Sequence, residues 1–141
     1  MSPAAARTIL LVEDNPADVY LLRQAVAECD RAIQLAIVPD GGEALAFLSK
    51  EPPFTHAFTP ALMLLDFSLP RVNGHQVLTE LRLPTLQALP AVVFSSAPKA
   101  LLELLCLKLG ANEYIEKPSL LEDFFAILRR LLTTWLPPGN S

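Results

Sequence analysis

Five short apolar runs, at residues 8–13, 33–38, 61–66, 90–95 and 112–116, alternate with five longer stretches in which apolar side chains recur at helical spacing. This alternation is the pattern of a parallel sheet with helices on both faces. With right-handed crossovers it implies a three-layer, doubly wound α/β domain whose ligands bind beyond the carboxyl ends of the strands. The expected fold is flavodoxin-like: a five-stranded parallel sheet in the order 2-1-3-4-5, flanked by five helices.

Local signals place the helices. Asn15 is expected to cap the first, with Pro16 at its opening position, where a missing N–H costs nothing, and Val19, Leu22, Val26 and Cys29 on its buried side. The last carries Leu121, Phe124, Phe125, Leu128, Leu131, Leu132 and Trp135 along one stripe. Gly41-Gly42, Gly74 and Gly110 punctuate strand and helix ends. At 141 residues the chain has room for one sizeable core, so residues 1–141 are expected to form a single domain with its core at about 7–136 and short tails.

Several classes are disfavoured. No run approaches the roughly 18 apolar residues of a membrane span, and the N-terminus lacks the apolar core of a signal peptide, so a cytoplasmic, membrane-free protein is expected. Net charge is −4, and Arg129-Arg130 is the nearest approach to a basic cluster, which argues against direct nucleic-acid binding. Cys29 and Cys106 fall inside apolar helical patterns and read as buried free thiols.

The polar candidates gather at one edge. The first strand runs into Glu13-Asp14, the third into Asp66, the fourth into Ser95-Ser96 and the fifth into Lys117-Pro118. If the first and third strands are neighbours, three carboxylates meet. At about 4 Å and an effective dielectric near 20, each like-charged pair costs about 4 kcal/mol, a large fraction of a domain's stability. A hard divalent ion with oxygen ligands answers this, and magnesium suits one or two carboxylates, a carbonyl and waters. Three carboxylates against a dication and Lys117 leave the site near neutral.

The fourth helix candidate, Lys99 to Leu109, carries more apolar surface than one face needs. Leu101, Leu102, Leu105 and Leu109 are expected to meet the sheet, while Leu104 and Leu107, with Ala100 and Ala111, form a second stripe. Such a stripe marks a partner surface. The expected interface is built on the fourth helix, fifth strand and fifth helix, most simply as a symmetric homodimer.

These residues together resemble the receiver domain of two-component response regulators. Glu13-Asp14 is similar to the acidic pair after the first strand, and "LLDFSLPRVNG" (Leu64 to Gly74) to the segment around the phospho-accepting aspartate. Ser95 is similar to the hydroxyl residue after the fourth strand, and Lys117-Pro118 to the closing lysine with its usually cis proline. The resemblance implies that Asp66 takes a phosphoryl group from a histidine kinase with Mg2+ present. It implies a metal site of Glu13, Asp14, Asp66 and the Ser68 carbonyl, with Lys117 and Ser95 on the phosphoryl oxygens. Tyr114 stands at the family's switch aromatic, implied to turn inward when Ser95 moves.

The likeness extends to small stand-alone regulators that partner phytochrome-type histidine kinases, through the shared "VEDNPAD" opening and an extended segment from Lys50 to Pro60. A phosphorylation-controlled module acting on a downstream protein target is therefore expected, not an enzyme turning over an external substrate. Two rivals are a phosphorylation-independent pseudo-receiver, against which the intact Glu13, Asp14, Asp66, Ser95 and Lys117 argue, and a magnesium-dependent phosphohydrolase. The latter wants a second acid two residues beyond the nucleophile, where this chain has Ser68. The chain also departs from the commonest receiver pattern: Ser stands at 95 where Thr is more frequent, and His75 follows Gly74 where an apolar residue is usual. His56 and His75 lack the paired spacing of a metal site.

Overall fold

The computed structural model describes residues 7–30, 32–67, 74–80 and 89–136. Along the chain run β1 (Thr8–Val12), α1 (Pro16–Cys29), β2 (Gln34–Val38), α2 (Gly41–Leu48), β3 (Leu62–Leu65), α3 (Gly74–Glu80), β4 (Ala91–Ser95), α4 (Lys99–Leu109), β5 (Glu113–Glu116) and α5 (Leu121–Trp135). The strands form one sheet in the order β2-β1-β3-β4-β5, with every pairing parallel. This is the doubly wound order expected from the sequence.

Because side chains alternate across a strand, the sheet feeds two cores. Leu10 and Val12 of β1, Met63 and Leu65 of β3, and Val93 of β4 face Ala44 and Phe47 of α2, Val77 and Leu78 of α3, and Cys106 of α4. Ile9, Leu11, Leu62, Leu64, Val92 and Phe94 face the other way, onto Leu22, Ala25 and Val26 of α1 and Phe124, Leu128, Leu131 and Leu132 of α5. Burial on both sides explains why the inner strands read as continuous apolar runs instead of alternating ones. Each large aliphatic side chain so buried stabilises the fold by roughly 1.5–3 kcal/mol.

The helix starts follow from short polar side chains. Asn15 Oδ1 accepts hydrogen bonds from the N–H groups of Ala17 and Asp18 at 2.9 and 3.1 Å, with Pro16 behind it in the first turn. Asp40 Oδ1 accepts from Glu43 N–H at 2.9 Å to open α2. Pro98 stands at the cap of α4 and offers no side chain for the purpose, and Glu116 from the end of β5 instead accepts from Lys99 N–H at 2.9 Å. Gly110, at φ 115°, ends that helix in the left-handed region.

Several side chains differ from expectation. On α4, Leu101 is 73 % exposed and Leu105 also faces solvent; the inward residues are Leu102, Cys106 and Leu109. The helix is rotated from its expected phase because an almost uniformly apolar segment does not mark its own inner face. Leu121, the first residue of α5, is exposed, and Val19 and Cys29 are only partly covered. Both cysteines are free thiols.

The segment before β3 is tied down: Phe54 and Phe58 pack on Phe47 at ring-centroid distances of 5.3 and 5.5 Å, and Lys50 Nζ donates to the Ala57 carbonyl. Its Pro52–Pro53 peptide is the cis bond among the described residues, and Lys117–Pro118, where the resemblance implies cis, is trans. Among the described residues no helix is long and apolar enough to cross a membrane.

Candidate functional site

Sheet register alone brings the first acids together. Val12 pairs with Leu65, so the next residues, Glu13 and Asp66, leave neighbouring strands at the same level. Asp66 N–H donates to the Val12 carbonyl at 3.0 Å and Glu13 N–H to the Val38 carbonyl at 3.0 Å, which carries the ladder into the first loop. Carboxylate oxygens of Glu13, Asp14 and Asp66 all lie within 4.8 Å of one another. Glu13 is 2 % exposed and Asp66 9 %, while Asp14 faces solvent.

Lys117 enters from the far side of the sheet. Its N–H donates to the Ser95 carbonyl at 2.7 Å, extending the β4–β5 ladder by one residue. Its Nζ then donates to Glu13 Oε1 at 2.8 Å and to Asp18 Oδ2 at 2.7 Å, and lies 3.6 Å from Asp66 Oδ2. The other oxygen of Glu13 accepts from Asn15 N–H at 3.2 Å.

Burial dominates the electrostatics. It pushes the Glu13 carboxyl up to about 7, with the neighbouring Asp66 charge acting in the same sense, against the Lys117 ammonium and the Asn15 N–H. Burial works to lower Lys117, but its hydrogen bonds to Asp18 and Glu13 outweigh it and hold the ammonium above its ordinary value. Around this cation stand Glu13, Asp66 and Asp18, with Asp14 beside the first two, an excess of acid with oxygen donors only. That set fits a hard divalent ion such as magnesium, calcium or manganese, not zinc or copper, which favour nitrogen and sulfur.

Ser95 and Tyr114 converge on the loop between β4 and α4. The Ser95 hydroxyl, fully buried, accepts from Ala97 N–H at 3.1 Å, and the Tyr114 hydroxyl donates to the Ala97 carbonyl at 2.7 Å. Tyr114 is 2 % exposed, so its ring points inward.

The sequence-derived residues thus separate into three sets. Glu13, Asp14, Asp66 and Lys117 meet in one cluster. Ser95 and Tyr114 lie together on Ala97. Leu104 and Leu107, exposed on α4, lie apart from both. Ser68, expected to add a carbonyl, falls outside the described residues. Asp18 joins the cluster without having been singled out by sequence reasoning. An acid in the first turn of a helix reads as a complement to the helix dipole, and nothing in that spacing signals a bond to a lysine 99 residues away. Beside it a cleft of about 440 Å³ opens between Asp18 and Leu21 of α1 and the segment from Lys117 to Leu121.

The chain is similar to known proteins. The family model of the response regulator receiver domain matches residues 9–129. Response regulator Rcp1 of Synechocystis sp. is 32 % identical over 131 residues, covering 92 % of this chain and 89 % of that protein. Among solved structures, the phosphorylated cyanobacterial phytochrome response regulator RcpA superposes with a TM-score of 0.86 at 36 % identity, covering 94 % of this chain and 99 % of the other. The Mn2+-bound form of Rcp1 gives 0.85 at 31 % identity, covering 95 % and 97 %.

Proposed function

The chain belongs to the response regulator receiver family, and on that footing we propose that it accepts a phosphoryl group on Asp66 from a histidine kinase, with Mg2+ as cofactor, and so switches a protein-interaction surface. The observation that carries this reading is the meeting of Glu13, Asp14 and Asp66 within 4.8 Å, with the Lys117 ammonium 3.6 Å from Asp66.

In this reading an Asp66 carboxylate oxygen attacks the phosphorus of a phosphohistidine; a P–O bond forms, the P–N bond breaks, and the imidazole leaves with the electron pair. Glu13, Asp14 and Asp66 would hold magnesium, joined by the Ser68 carbonyl. The bound ion supplies charge neutralisation at the phosphoryl oxygens. Lys117 pairs with one of those oxygens and Ser95 donates to another. Because Ser95 also holds Ala97, movement of its hydroxyl pulls on the loop that Tyr114 grips from below. The readout surface is α4, β5 and α5, where Leu104 and Leu107 form the contact of a homodimer or of a downstream target.

RcpA is a cyanobacterial phytochrome response regulator, and a phytochrome-type kinase is the partner proposed here. The domain then works as a cytoplasmic signalling module, its chemistry confined to its own phosphorylation and dephosphorylation.

Incubation with magnesium and acetyl phosphate, or with beryllofluoride, compared with Asp66→Asn, tests the reading. An amide-spectrum change that the variant loses supports it. A wild type that does not respond favours a pseudo-receiver working without phosphate.

A further inference from the structure

We infer that Asp18 is a positioning residue for Lys117, holding its ammonium at the phosphorylation site by a bond that the metal-ligating acids do not share. This rests on the receiver reading above and names a residue that reading does not require.

A lysine carries a compact charge on a flexible four-carbon stem, so its ammonium has no preferred place unless anchors supply one. It has three hydrogens to donate. Glu13 Oε1 and Asp18 Oδ2 take two of them at 2.8 and 2.7 Å, while Asp66 Oδ2, at 3.6 Å, stands beyond hydrogen-bond distance. With two hydrogens bound, the third is the one left for a group at Asp66.

The two anchors differ in what else they do. Glu13 is engaged at both oxygens, by Lys117 and by Asn15 N–H, and belongs to the acid group that fits a divalent ion. Any cation in that group draws on the carboxylate that holds the lysine. Asp18 is not in the group. It projects from the first turn of α1, where the Asn15 cap binds its own N–H at 3.1 Å, so its backbone is fixed independently of the cluster. Its side chain is 23 % exposed against 1 % for Glu13, and it borders the cleft beside Lys117. Substitution there leaves no hole in either core, and the cap of α1 stays with Asn15.

Asp18→Asn keeps the shape and removes the charge; Asp18→Glu keeps the charge. In calorimetric titrations at saturating magnesium, beryllofluoride affinity is expected to fall by about tenfold or more in Asp18→Asn, the scale set by misplacing a group at a reacting centre. Partial recovery is expected in Asp18→Glu. Affinity for magnesium alone is expected to stay within about twofold of wild type, because the acid group is intact. In the metal-free protein, the change in denaturation midpoint caused by Asp18→Asn is expected to vanish in a Lys117→Ala background. Unchanged mimic affinity in Asp18→Asn, a parallel loss of magnesium affinity, or an equal stability effect with and without Lys117 overturns the role. A wild type with no Asp66-dependent binding of the mimic overturns the receiver reading and this role with it.

Discussion

The Nζ of Lys117 lies 2.8 Å from Oε1 of Glu13, a residue 104 positions earlier in the chain, and both side chains are almost wholly buried. A cation and an acid taken out of water together depend on each other. Asp66, 3.6 Å from the same ammonium, shares that dependence.

The first consequence is a pH dependence. Glu13 is raised from its ordinary 4.5 to about 7, chiefly by burial. The folded protein therefore binds this proton more tightly than the unfolded chain does. Its contribution to stability is full below about 4.5 and is lost as pH rises toward about 7. Magnesium needs the ionised carboxylate, so its affinity should climb through that window, level off above it, and release protons on binding. Calorimetry in buffers of different ionisation enthalpy measures both. Glu13→Gln should flatten the stability profile; a magnesium affinity independent of pH from 5 to 8 contradicts the assignment.

Removing the cation should destabilise the metal-free fold. Lys117→Ala leaves Glu13 and Asp66 buried with no opposite charge, and the expected loss is on the order of 3 kcal/mol at neutral pH. Acid pH should reduce it, because Glu13 is then protonated in the wild type as well and no longer depends on the Lys117 charge. Urea denaturation at two pH values reads the difference.

Tyr114→Phe deletes the hydroxyl's hydrogen bond to the Ala97 carbonyl and its interaction with the Ser95 side chain, while the ring stays packed. The expected cost is about 1 kcal/mol. Faster amide hydrogen exchange at Ala97 and through the first turn of α4 should accompany it. Tyr114→Ala opens a cavity as well and should cost about 3–5 kcal/mol.

On α4, exposure separates interface from core. Leu104→Glu/Leu107→Glu should leave the melting temperature nearly unchanged, because both side chains are in solvent. Light scattering should show reduced association relative to wild type. Cys106→Asp, at a fully buried position, should instead unfold much of the protein, since an unpaired charge there costs several kcal/mol. Equal melting losses in the two variants would contradict this division of the helix.

The strands were legible within about a residue at each end, because parallel strands buried on both faces read as uninterrupted apolar runs closed by polar residues. The start of α1 was legible too: Asn15 and Pro16 satisfy a local requirement of any helix N-terminus. The phase of α4 was not. Lys99 and Glu103 pair on one side of that helix at 3.4 Å and Lys108 lies on the opposite side, so the charged residues do not mark a single outer face and periodicity could not decide between the Leu101–Leu105 and Leu102–Cys106 faces. Packing decided it, with Cys106 against the sheet.

Glu13, Asp14, Asp66 and Lys117 could be placed at one edge from the residues alone, because strand direction and order dictate which loops share an end. The depth of Glu13, the inward ring of Tyr114 and the bond from Asp18 to Lys117 could not. Backbone periodicity and capping act over a few neighbouring residues and are written in local sequence. Ion pairing and desolvation depend on distances through space and on how much water each group keeps, and those quantities exist only once strands and helices have packed.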